Sequence, residues 1–237
     1  MGDLWLSAIR YDAVDPRGTA AFWSGLLQWP AAERPDGTVA LTPDDPRALP
    51  LVLCPTDIAK TTQNRIHLDV TSRSPDHMDR LVRAALDLGG AHVDVGQSPD
   101  EDHVVLADPD GNELCVIPPD NQFLAGTGVV GAVNCDGTAT LGRFWSAVLD
   151  WPLVWDQDEE TAIQSPGGGP KITWSGPPLM PRTGRDRWRL EVTAAGPTEI
   201  ALAALVTRGA TVPEQVEDAV GTTVLDPDGN EFHVLGT

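Results

Sequence analysis

Polar and apolar positions along the chain alternate between a period of two and a period near 3.6, and the same succession of periods returns several times. Residues 6–14 alternate as a strand, with Ile9, Tyr11 and Ala13 on one face and Ala8, Arg10 and Asp12 on the other. Asp15-Pro16 offers a helix N-cap followed by proline at the first helical position, and the predicted helix runs to Trp29, where Pro30 stops it. Short strands are expected at 37–42 and 49–54. A second unit opens with a strand at 65–71, and Ser74-Pro75 then starts a helix. Met78, Leu81, Val82, Ala85 and Leu88 recur along that helix at helical spacing until Gly89-Gly90 ends it. Strands at 91–95, 103–107 and 113–117 complete the unit.

The whole pattern then repeats. Phe22-Trp23-Ser24-Gly25 returns as Phe144-Trp145-Ser146-Ala147, and Trp29-Pro30 returns as Trp151-Pro152, both with an offset of 122 residues. Arg65-Ile66-His67-Leu68-Asp69-Val70 returns as Arg187-Trp188-Arg189-Leu190-Glu191-Val192 with the same offset. An Asp-Pro-Asp-Gly-Asn turn occurs at 108–112 and again at 226–230, each time entered by an apolar run and left by an alternating strand. Proline at the second turn position and a glycine able to take positive φ make each copy a tight hairpin. The chain therefore reads as a tandem duplication, with domains at 1–120 and 121–237 joined through 118–128. The second copy is expected to hold strands near 129–135, 161–164, 171–174 and 188–193, helices near 138–149 and 198–207, and a closing hairpin.

Composition narrows the function. Sixteen Lys and Arg against 35 Asp and Glu give a net charge of −19, which disfavours nucleic acid and anionic membranes as partners. Cys54, Cys115 and Cys135 form no Cys-x-x-Cys pair, so neither a disulfide framework nor structural zinc is expected. Without a basic and apolar leader or a membrane-length apolar run, the chain reads as cytoplasmic.

Four strand-helix-strand-strand modules, the Phe-Trp helix ending in Trp-Pro and the duplicated hairpin resemble the vicinal oxygen chelate superfamily, in its glyoxalase-like and bleomycin-resistance-like branch with two tandem domains. The resemblance implies an α+β fold in which paired βαβββ modules curl their sheets into a cup with the helices outside. It also implies a place for a divalent metal, held by side chains from first strands and last strands. His67 matches one such position, but the others hold Ala8 and Cys115 in the first domain, and Val130, Arg189 and His233 in the second. No cofactor is therefore expected and no metal site assigned, although Asp69 or Glu113 moving in beside His67 and Cys115 would restore one.

The alternation then suggests what lines each cup. In the first domain these are Arg10, Asp12, His67, Asp69, Glu113 and Cys115; in the second, Asn134, Arg189, Glu191, Glu231 and His233. Trp174 is a candidate for stacking on a planar ligand, a role that needs it to face the cup and not a helix. The leading expectation is a metal-independent enzyme for a small polar or aromatic molecule, of lyase or isomerase type, with His67 and Asp69 as the acid-base pair and Arg10 orienting an anionic group. A protein that sequesters a small toxic molecule such as an antibiotic is the second reading. A metal-dependent glyoxalase or dioxygenase is the third. Either a monomer or a homodimer fits the duplication.

Overall fold

The computed structural model describes residues 4–98, 100–214, 217–218 and 221–236. They form four βαβββ modules. The first is β1 (Leu4–Ala13), α1 (Pro16–Leu27), β2 (Ala31–Glu33), β3 (Val39–Leu41) and β4 (Leu51–Pro55). The second is β5 (Ile66–Thr71), α2 (Pro75–Asp87), β6 (Ala91–His92), β7 (Val104–Ala107) and β8 (Glu113–Ile117). The third is β9 (Val130–Cys135), α3 (Ala139–Leu149), β10 (Leu153–Gln157), β11 (Glu160–Gln164) and β12 (Lys171–Trp174). The fourth is β13 (Trp188–Ala194), α4 (Thr198–Thr207), β14 (Glu217–Asp218), β15 (Gly221–Leu225) and β16 (Glu231–Leu235). Among the described residues no helix is long and apolar enough to cross a membrane.

Local chemistry accounts for the element ends. Asp15 accepts from the Gly18 amide at 3.0 Å and Ser74 from the His77 amide at 3.1 Å, so both proline-led helices are capped by the residue before the proline. α1 ends at Gln28 in the left-handed region. In both hairpins one aspartate gathers the turn: Asp108 accepts from the Asp110 and Asn112 amides at 3.0 and 2.9 Å, and Asp226 accepts from those of Asp228 and Asn230 at the same distances. Gly111 and Gly229 supply φ of +83° and +81°. The hairpins also fasten neighbouring modules. Asp108 accepts from Trp23 Nε1 at 3.0 Å, Asp110 from the Val14 amide at 2.9 Å, and Asp228 from the Thr138 amide at 2.6 Å.

The strands assemble into two open eight-stranded sheets, and each takes one module from each repeat. Sheet A runs β14-β15-β16-β13-β1-β4-β3-β2 and sheet B runs β10-β11-β12-β9-β5-β8-β7-β6. β1 pairs antiparallel with β13, and β5 with β9, so the seam of each sheet joins the two repeats. Within the first repeat the modules instead meet through their helices, at glycines. A Cβ on Gly25 of α1 would lie 2.9 Å from the Leu88 side chain, and one on Gly90 would lie 3.0 Å from the Phe22 ring. The apolar faces of both sheets and the four helices share one continuous core that includes Trp23, Trp145, Trp174 and Trp188.

The buried turn aspartates carry a pH signature. Burial pushes the Asp226 carboxyl up to about 6, against the lowering effect of the Asn230 and Asp228 amides. A buried acid with a raised pKa holds its proton more tightly in the folded chain. Its contribution to stability is present below the ordinary value of 3.8 and is lost as pH rises through about 6. Asp226→Asn is expected to remove that loss and gain up to roughly 3 kcal/mol at neutral pH. The Asn230 amide, whose Nδ2 now donates to Asp226, can turn over to offer the new amide its Oδ1, which has no donor among the described residues. Urea midpoints at low and neutral pH test this: a variant no steadier than the parent at neutral pH refutes it.

Candidate functional site

Because each sheet draws on both repeats, the two concave faces are not the two cups expected from sequence. Arg10 and Asp12 were expected beside His67 and Asp69 in the first repeat. They lie in sheet A instead, across the β1–β13 seam from Arg189 and Glu191, where Arg10 stands directly opposite Arg189. The remaining sheet A candidates, Glu231 and His233, are on β16, which pairs with β13.

Sheet A's concave face carries charges that pair with one another, beside a cavity of about 260 Å³ bordered by Asp12, Arg185 and Asp186. Arg10 Nη1 lies 2.9 Å from Glu191 Oε2, with side-chain exposures of only 4% and 8%, and Arg10 Nε donates to Cys54 Sγ at 3.0 Å. Arg189, fully buried, donates to both oxygens of Asp12 at 3.0 and 2.5 Å. The segment entering β13 adds more: Arg182 pairs with Glu231, Arg185 lies 3.4 Å from Asp12, and Asp186 accepts from the Glu231 amide at 2.8 Å. Burial and the neighbouring Asp186 charge push the Glu231 carboxyl upward, opposed by the surrounding arginines. His233 is fully buried as well. Here Arg10, Asp12, Arg189, Glu191 and Glu231 each stand in an ion pair, as buried charges must.

Sheet B is different. Its register places two rows of residues across the concave face. One row is Trp155, Ala162, Thr173, Asn134 and His67, running from β10 to β5. The next is Gln164, Lys171, Ala132, Asp69, Cys115 and Val105, from β11 to β7. Leu68, Val70, Leu114, Val116, Val133 and Ile172 point the other way into the main core. A second, smaller apolar cluster of Val105, Cys115, Ile117, Leu124 and Ala132, with Val93, Val95 and Phe123 against it, walls this face. Phe123 and Leu124 come from the segment joining the repeats, and Phe123 meets the Trp155 ring edge-on at 5.8 Å.

At the floor, His67 Nε2 lies 3.5 Å from Asp69 Oδ1, and the His67 side chain stays 25% exposed where Arg189 has none. One donor atom each from His67, Asp69 and Cys115 fall within 4.8 Å of one another. Burial by itself disfavours a charged imidazole, but hydrogen bonds to Asp69 and Cys115 and their charges outweigh it, carrying His67 up to about 10. Of the two carboxylates that could have joined His67 and Cys115, Asp69 has done so. Glu113 has not: it is tied to Lys60 Nζ at 2.5 Å and to the Asn64 amide at 3.2 Å.

A nitrogen, an oxygen and a sulfur donor make a set that borderline divalent ions accept, and three protein ligands with an open position is what a catalytic ion needs. His67, Asp69 and Cys115 therefore fit such an ion, which the sequence reading, looking for a histidine or glutamate at each family position, did not assign.

Asn134 was expected in the second repeat's cup; it stands opposite His67 instead. Trp174 cannot stack on a ligand. It is 1% exposed and sits under α3, where a Cβ on Gly142 would come within 3.0 Å of its ring. The parity of β12 was the overlooked signal, because Ile172 and Trp174 fill the core and Lys171 and Thr173 are left for the concave face. Lys171, Thr173, Phe123 and Trp155 were all missed from sequence.

Comparison with known proteins agrees with this architecture. A family model described as a glyoxalase-like domain matches residues 8–117 and 131–235. Among solved structures, glyoxalase I from Zea mays superposes with a TM-score of 0.68 at 11% identity, covering 98% of this chain and 92% of that one. A putative dioxygenase from Bacillus subtilis strain 168 superposes with a TM-score of 0.63 at 12% identity, covering 98% and 84%. At such identities the likeness is one of fold. No curated protein matches the sequence.

Proposed function

This chain belongs to the family of glyoxalase-like domains, and from that premise we propose that it binds a small organic molecule on the concave face of sheet B and moves a proton on it, as a lyase or isomerase does. One contrast carries the reading. On sheet A, Arg10, Glu191 and Arg189 are spent on buried ion pairs and the cavity of about 260 Å³ opens beside Asp12 and Arg185, whereas sheet B keeps the acid-base candidate His67 partly exposed beside Asp69 and Cys115. His67 is the proton donor, and Asp69, 3.5 Å from its Nε2, orients the ring and balances its charge. Val93, Val105, Ile117 and Leu124 exclude water from the bound molecule. Arg10, in the other sheet, takes no part. Both concave faces are completed within one chain, which supports a monomer as the working unit.

A second reading is favoured by the donor cluster itself. His67, Asp69 and Cys115 would hold a divalent ion, which when bound supplies Lewis-acid polarisation of a ligand oxygen. Elemental analysis of protein purified without chelator separates the two. Sub-stoichiometric metal is expected, and about one ion per chain would overturn the metal-independent reading. Turnover is tested by incubating the protein with small keto and hydroxy acids in D2O and following carbon-bound deuterium by NMR. Binding without any exchange would leave sequestration as the function.

A further inference from the structure

We propose that the ligand of the sheet B concavity is a small planar carboxylate, its anionic end held by Lys171 and Thr173 and its other end beside His67. This rests on the reading of sheet B as the working face and adds the ligand class.

Lys171 is one of two lysines in a chain with 35 acidic residues. The other, Lys60, is paired with Glu113, whereas Lys171 has no carboxylate partner among the described residues. It is partly buried, donates to the Phe123 carbonyl and lies 4.2 Å from the centre of that ring. An ammonium has three donors, so two remain for a ligand. Removing a lysine from water without a counter-ion is unfavourable, and an arriving anion relieves that cost.

Thr173 supplies the second, independent sign. Its hydroxyl is buried and has no hydrogen-bond partner among the described residues. Two residues from Lys171 on β12, it shares the concave face and stands opposite Asn134, which stands opposite His67. Buried hydroxyls are normally satisfied, and one left open beside an unpaired ammonium marks the place of an acceptor.

The spacing fixes the shape of the ligand. β12 and β5 are separated by β9, two strand spacings or about 10 Å, and only the Ala132 methyl rises between Lys171 and Asp69. With Ala132 covered by its apolar cluster, a flat ring or conjugated chain can lie along the neighbouring row of Thr173, Asn134 and His67, with Phe123 and Trp155 at the far edge. The Asp69 carboxylate, which would repel an anion, is at the opposite end and faces His67.

Three probes test the proposal by calorimetry on the full chain: 4-hydroxybenzoate, 4-hydroxybenzamide and cyclohexanecarboxylate. 4-Hydroxybenzoate is expected to bind best, with Lys171→Met weakening it by about tenfold or more and Thr173→Val by a few fold. Thr173→Val keeps the side-chain shape and guards against a folding defect in the lysine variant. Equal affinity for the amide, undiminished binding in both variants, or no binding of 4-hydroxybenzoate would each overturn the inference. Carboxylate binding without deuterium exchange on any acid would sink proton transfer and keep the ligand class. Exchange on an acid without binding of 4-hydroxybenzoate would sink the planar ligand class and keep proton transfer.

Discussion

Replacing Arg10 by Met is expected to destabilise the chain by about 3–5 kcal/mol and to leave ligand binding at sheet B untouched. Glu191, opposite Ala8 on the partner strand, reaches Arg10 across the seam of sheet A, with both side chains almost wholly buried. Without the guanidinium, the carboxylate keeps the Ser7 hydroxyl, 3.4 Å away, a poor substitute for a charge. A buried, uncompensated charge costs far more than the pair contributes, so the double variant Arg10→Met with Glu191→Leu should recover most of the loss. Urea unfolding of the parent, both single variants and the double variant measures the coupling. A single variant that keeps its stability and loses binding or turnover would place Arg10 in the working site after all.

His67→Ala is expected to reduce turnover by roughly 10²–10⁴ and, by leaving the Asp69 carboxylate without its imidazole partner, to cost some stability as well. The side chain is a quarter exposed and lies beside Asp69 and Cys115, so its removal opens little cavity. The loss should fall on kcat. Carboxylate affinity, set two strands away by Lys171 and Thr173, should change by a few fold at most. An equal loss of affinity and kcat would show that His67 only shapes the site, and unchanged turnover would remove it from the chemistry.

The sequence alone carried everything that depends on neighbours along the chain. The Asp-Pro-Asp-Gly-Asn hairpins, the proline-led helices with their Asp15 and Ser74 caps, the two-residue alternation around His67 and Asp69, and the duplication itself are local patterns, and all recur in the structure. Alternation also placed His67, Asp69 and Cys115 on one face correctly, because side-chain direction along a strand follows from the pleat. Short edge strands such as β2 and β10 escaped it, since their mostly exposed residues carry no alternation to read.

Which sheet each strand joined was decided only in three dimensions. A strand's edges are backbone donors and acceptors, nearly the same for every sequence, so β1 carries no local mark saying that it will pair with β13 and not with β5. Within the first repeat the two modules pack through their helices at Gly25 and Gly90, and their first strands pair across the repeats. That choice sent Arg10 and Asp12 to a concave face shared with Arg189, Arg182 and Arg185, and brought Asn134, Lys171 and Thr173 to the sheet of His67. The residues able to do chemistry were legible in the sequence; their company depended on contacts between segments more than sixty residues apart, which no local pattern encodes.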